Sequence, residues 1–134
     1  MLHKEEFQND TFCMYGTMDH EYQITIQFRG SGSPKSTHAL LNLLTKMYAK
    51  IPKGRQAFAL LDCSAYTTTP LRAQFSIGKW VLQNRSKTGY VAVVGAQKRE
   101  KQIGEAIFKI AQIDRIKFFQ EHTKAQLWLK EKQR

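Results

Sequence analysis

An α/β fold with a mixed, mostly parallel five-stranded sheet, an N-terminal antiparallel hairpin and four helices is what this sequence predicts, on three observations. Ala57-Phe-Ala-Leu-Leu-Asp-Cys-Ser64 is an apolar run without polar alternation that stops on a carboxylate and a hydroxyl, and Tyr90-Val-Ala-Val-Val-Gly95 is a second run of that kind. Strands apolar on both sides belong in the middle of a sheet covered by helices, so the two should lie beside or near each other. Segments of helical period alternate with the strands, which requires a largely parallel sheet with right-handed crossovers.

Taken in order, residues 1–9 are polar and without period, and a frayed lead-in is expected. Thr11 to Met18 sets Phe12, Met14, Gly16 and Met18 on one face, and Glu21 to Arg29 sets Tyr22, Ile24, Ile26 and Phe28 against Gln23, Thr25 and Gln27. Alternation with period two marks strands with one wet face. Met18-Asp-His-Glu21 turns between them, so they form a hairpin at or near a sheet edge.

Ser33 followed by Pro34 starts a helix, because the hydroxyl accepts an orphan N–H and proline has none to lose. Leu40, Leu43, Leu44, Met47, Tyr48 and Ile51 give it one apolar stripe, and Ile51-Pro-Lys-Gly54 stops it. The preceding Gly30-Ser-Gly-Ser33 fits neither G-x-G-x-x-G nor the P-loop pattern, so it reads as a plain strand-to-helix turn.

After the central strand, Ala65-Tyr-Thr-Thr-Thr-Pro70 leads into a second helix, about 70–84, with Pro70 at its first position. Leu71, Phe75, Gly78 and Leu82 cluster on one side of it, while Ala73, Ile77 and Trp80 point nearly opposite. A cover helix needs one apolar face. The other should meet a partner, a ligand or the neighbouring helix.

Lys87-Thr-Gly89 turns into the second central strand. A third helix, about 98–114, carries Ile103, Ala106, Ile107, Ile110 and Ile113 on one face. Arg115-Ile-Lys-Phe-Phe119 reads as an edge strand, where charge discourages further pairing. The last helix, about 121–131, buries Ala125, Trp128 and Leu129 and ends on lysines, as its dipole favours.

The 134 residues suit one domain and leave no room for two. An apolar content of 42% excludes a disordered chain, and no run reaches the roughly 18 apolar residues of a membrane helix. The N-terminus, Met-Leu-His-Lys-Glu-Glu, lacks the order of a signal peptide, which makes a soluble cytoplasmic protein the expectation. Cys13 and Cys63 have no C-x-x-C spacing and read as small buried apolar side chains. A net charge of +10 favours acidic partners. Its basic residues are spread along the chain and its aromatics fall on core faces, so non-specific attraction to nucleic acid is expected and sequence recognition is not.

With the elements in place, Phe58-Ala-Leu-Leu-Asp-Cys-Ser64, Val91-Ala-Val-Val-Gly95, Arg115-Ile-Lys-Phe-Phe119 and Ala125-Gln-Leu-Trp-Leu129 together resemble the SpoIIAA-like family. These are bacterial proteins related to STAS domains, the fold of anti-sigma-factor antagonists, and grouped by shape with the lipid-binding CRAL-TRIO domains. The resemblance runs from about Thr11 to the end. It implies one STAS-like α/β domain, often paired as a dimer, that binds or regulates and does no covalent chemistry. In the antagonist branch a serine in an Asp-Ser-Ser-Gly-like turn after the central strand is phosphorylated. Here that turn reads Tyr66-Thr-Thr-Thr-Pro70 without the motif; Thr67, Thr68 or Thr69 holds the equivalent place, and helix capping is the competing use of those hydroxyls.

Ligands of open parallel sheets bind beyond the carboxyl ends of the strands. The groups arriving there are Gly30 to Ser33 with Ser31 and Ser33, then Asp62 and Ser64, then Gly95-Ala-Gln97-Lys98-Arg99. Lys98 and Arg99 oppose the dipole of the helix they open, which suits either an anionic ligand or a solvated charge cluster. Asp62 orients a ligand or, the favoured use, caps its own loop. No G-x-S-x-G elbow surrounds Ser64, and His3, His20, His38 and His122 show no ligand spacing, so neither a hydrolase triad nor a metal or other cofactor is expected. The resulting expectation is a non-enzymatic binding or regulatory module, homodimeric or with a protein partner, that uses Ala73, Ile77 and Trp80 as its contact. The alternative is a carrier of a small amphipathic anionic, lipid-like ligand between the sheet and the second helix, with Lys98 and Arg99 at the head group.

Overall fold

The computed structural model describes residues 1–68 and 71–133. The strands are β1 (His3–Gln8), β2 (Phe12–Met18), β3 (Gln23–Ser31), β4 (Ala57–Thr68), β5 (Thr88–Val94) and β6 (Ile116–Phe119). The helices are α1 (Pro34–Ala49), α2 (Leu71–Gln83), α3 (Lys98–Ile110) and α4 (His122–Lys132). All six strands join one sheet in sequence order. β2 runs antiparallel to both its neighbours, β1 and β3, and β3 to β6 run parallel. The two apolar runs are direct neighbours at its interior, Leu60 opposite Ala92 and Leu61 opposite Val93.

Strand order explains the layering. Each β-α-β crossover steps in the same direction with the same hand, so α1, α2 and α3 must all land on one face of the sheet. The larger core lies there, with Met14, Ile24, Ile26, Leu43 and Met47 fully enclosed. The opposite face of β4, β5 and β6 would stand bare but for α4, which seats Ala125 and Leu129 on Leu60, Ala92 and Val94.

α1 begins as its sequence dictates. Ser36 N–H donates to Ser33 Oγ (3.2 Å) and Ser33 N–H to Ser36 Oγ (2.7 Å), a reciprocal pair that satisfies two orphan donors. Its buried stripe of Leu40, Leu43, Leu44 and Met47 stabilises the fold by about 1.5–3 kcal/mol per side chain relative to exposure. The helix sits close because Gly16 on β2 has no side chain: a Cβ there would stand 2.7 Å from Leu43 Cδ2.

Four expectations are corrected. The lead-in is a strand, β1, paired with β2 from His3 opposite Met18 to Gln8 opposite Cys13, which makes the sheet six-stranded. Its half-buried side is His3, Glu5 and Phe7, too polar to show an apolar period; pairing with β2 creates it. β4 continues to Thr68 instead of ending near Ser64. Between Gln27/Asp62 and Arg29/Ala65, β3 advances two residues while β4 advances three, a bulge that turns Tyr66 inward onto Phe12 and Phe28. α3 ends at Ile110, not Asp114, where Gln112 enters the left-handed region at φ 57°, and Ile110 is exposed. The faces of α2 are reversed from the expected contact: Ala73 is buried, Ile77 and Trp80 pack into the core, and Leu71, Phe75 and Leu82 are exposed.

Candidate functional site

Between the sheet and α1, α2 and α3 lies an apolar cavity of about 150 Å³. Its floor is Ala59, Val91 and Val93, the inward side chains of β4 and β5, and its roof includes Leu44, Ile77 and Trp80. Small residues explain the hollow. Ala59, Ala73, Ala96 and Gly104 all border it, and none reaches far enough to fill the space between the layers. Gly104 has a reason to be small: a Cβ there would stand 2.8 Å from Phe118 Cζ and 3.4 Å from Gln74 Oε1, so α3 could not approach β6 and α2 as it does.

Polar groups at the end near the start of β5 are satisfied. Tyr48 Oη and Thr88 Oγ1 share a hydrogen bond of 2.8 Å, and Thr88 Oγ1 donates to Asn84 O (2.9 Å). Burial raises the Tyr48 phenol above its ordinary range, with the Thr88 bond offsetting part of that. Trp80 packs edge-on against Tyr48 at 4.7 Å and donates Nε1–H to Thr45 Oγ1 (3.2 Å). Cys63 lines the wall, where burial, reinforced by the Asp62 carboxylate, pushes its thiol up to about 12. It stays protonated at neutral pH, and only the thiolate is a nucleophile.

The other end, beside Ala96 and Gln97 at the opening of α3, differs. Gln74 Nε2 and Glu100 Oε2 are buried there without a hydrogen-bond partner, and both residues border the cavity. Buried polar groups are paired in the great majority of cases, so two orphans at one cavity are informative. Gln74 shares the inner side of α2 with Ile77 and Val81, a polar residue set in the apolar stripe. Glu100 lies in the first turn of α3, where the dipole favours a carboxylate.

Of the polar residues expected at the strand ends, Gln97 alone borders this cavity, with its neighbour Ala96. Ser33 is the N-cap of α1, and Ser31 Oγ shares a hydrogen bond of 2.8 Å with Thr67 Oγ1, which also donates to Gly30 O (3.1 Å). Thr67 therefore ties the end of β4 to β3. Thr68 ends β4, and Thr69 and Pro70 lie outside the described residues. Asp62 Oδ1 accepts the Ser64 N–H at 3.0 Å, the capping use. Ser64 is exposed and packs under Gly95, whose φ of 74° and lack of a Cβ permit the approach; a Cβ would meet Ser64 Cα at 2.8 Å. Lys98 and Arg99 are exposed and border no part of the cavity. His3 and His20 sit at the amino end of β3, opposite the end that holds Ser64. Among the described residues no group of three or more His, Cys, Asp and Glu is placed to hold a metal ion.

A shallower groove between β1 and α1 is bordered by Glu5, Phe7, His38 and Lys46. Its carboxylate is already engaged: Glu5 Oε1 accepts from His3 Nε2 (3.1 Å) and Lys46 Nζ (3.3 Å). Burial raises the Glu5 carboxyl, but those two partners outweigh it and hold it below the ordinary range. Sequence reasoning missed Gln74 and Glu100; the signal was a glutamine interrupting the apolar spacing Ala73, Ile77, Val81.

No protein-family model and no curated protein matches this sequence. Solved structures do match. One is an uncharacterized protein of the DUF3478 family with a SpoIIAA-like fold from Shewanella loihica PV-4, 17% identical, with a TM-score of 0.64 over 96% of this chain and 98% of that one. The fold is SpoIIAA-like. No described helix is long and apolar enough to cross a membrane.

Proposed function

We propose that this protein is a non-catalytic binding module that holds one small, largely apolar molecule between its sheet and helices α1 to α3. The observation that carries this reading is the apolar cavity between the sheet and the helices, which runs from Thr88 at the start of β5 to Ala96 and Gln97 beyond its carboxyl end, where such sheets bind ligands. An apolar cavity of roughly 150 Å³ stays dry and accepts a guest the size of benzene, so the ligand is about one ring or a short chain. Two free cysteines fit a reducing compartment, the cytoplasm.

Toluene titration followed by methyl NMR tests it. Saturable shifts are expected at Leu44, Val91 and Val93, which border the cavity, with Leu129 under α4 unmoved. No saturable shift up to the solubility of toluene, or equal movement at Leu129, would overturn the reading.

A second reading, contact with another protein or a second copy, is favoured by the outer side of α2, where Leu71 is 52%, Phe75 55% and Leu82 39% exposed. Large aromatic side chains tend to anchor such contacts. Sedimentation should give a dimer that Phe75→Ser converts to a monomer; a parent protein monomeric at every concentration removes self-association. Trp80, packed on Tyr48, is not part of that surface.

A further inference from the structure

Resting on the reading of the cavity as a ligand site, we infer that its ligand carries a hydroxyl group, held between Gln74 and Glu100, and is not an anion. Two atoms without partners, Gln74 Nε2 and Glu100 Oε2, are buried at the same cavity. They stand at the α2–α3 crossing: Gln74 reaches Gly104 on α3, one turn along from Glu100. One is a donor and the other an acceptor. A hydroxyl accepts from the first and donates to the second, and so satisfies both at once.

Competing head groups each leave a defect. A carboxylate or phosphate brings only acceptors, so it leaves Glu100 unpaired and adds a like charge beside it. Among the described residues no Lys, Arg or His borders the cavity to offset that charge, and Glu100 is its one carboxylate. An ammonium brings only donors and leaves Gln74 Nε2 unsatisfied. A wholly apolar ligand leaves both orphans, each costing more buried than hydrated. The apolar remainder of the cavity takes the body of the molecule, while the hydroxyl points toward Gln97 and the opening of α3.

The test is a set of probes of nearly one shape: toluene, benzyl alcohol, benzylamine and benzoate, titrated against the intact protein by methyl NMR. Benzyl alcohol is expected to bind about tenfold more tightly than toluene, the worth of one hydrogen bond to a charged group, and benzoate not to saturate. Glu100→Leu should remove the alcohol preference while keeping toluene binding, since Glu100 is half-buried and its buried Oε2 makes no hydrogen bond that the replacement would break. Gln74→Leu should do the same from the other helix, and toluene binding reports that each variant is folded. Equal affinity for toluene and benzyl alcohol, as when water alone bridges the pair, would overturn the inference. So would tighter binding of benzylamine or benzoate, or an alcohol preference that survives both variants. If no probe binds, toluene included, it is the ligand-site reading itself that has failed.

Discussion

Truncating Leu43 to alanine is expected to lower stability by about 2–5 kcal/mol, read as a fall in the urea midpoint at unchanged slope. Leu43 is fully buried at the middle of α1 and rests directly over Gly16 on β2. That contact is tight enough to test from both sides. Gly16→Ala alone should cost about 1–3 kcal/mol, because its new methyl would stand 2.7 Å from Leu43 Cδ2 and force the leucine aside. In the double variant the methyl enters space that Leu43→Ala has vacated. The two losses should therefore sum to more than the double variant shows, by about 0.5 kcal/mol or more. Additivity within about 0.3 kcal/mol would mean that α1 does not seat Leu43 on Gly16.

Leu60→Ala should also cost about 2–5 kcal/mol, and Leu61→Ala about 1 kcal/mol or more less. The two are adjacent in β4 and chemically identical, yet they face different layers. Leu60 is 2% exposed and fills the tight core under α4 with Ala92, Val94 and Leu129. Leu61 points to the other face and borders the cavity, so it has fewer neighbours to lose. Saturating toluene should leave the loss at Leu60 unchanged and should alter the one at Leu61, which borders the cavity. The reverse order of the two variants would put α4 on the wrong face.

Much of this architecture was legible without coordinates. The wet-faced hairpin is visible in the alternation of Phe12, Met14, Met18, Ile24, Ile26 and Phe28, all of them buried. Ser33 announces α1 and caps it with the geometry its sequence implies. The two central strands are legible because a segment covered on both sides cannot carry polar alternation. The candidate site was much less legible. Ser31 read as a ligand group, Asp62 as a ligand group or a loop cap and Thr67 as a candidate phosphorylation site, but each bonds to neighbouring backbone or side chains at the strand ends. A hydroxyl or carboxylate at a strand end serves chain geometry or a ligand equally well, and which of these it does depends on the neighbours it meets.

The sequence by itself determined the order of the central elements and that the two apolar runs are inner strands beside or near each other, because period and apolar runs are local properties that burial imposes on each segment. The strand order, and through the crossover hand the placement of α1, α2 and α3 on one face, came from the tertiary structure. Only the tertiary structure decided that residues 3–8 form an edge strand, that β4 bulges to bring Tyr66 inward, and that Ala73, Ile77 and Trp80 face the core while Leu71, Phe75 and Leu82 face out. It alone decided the cavity as well. A hollow is the mismatch between packed surfaces: Ala59 on β4, Ala73 on α2 and Gly104 on α3 are ordinary small residues until the layers close over them, and then no side chain fills the space they share.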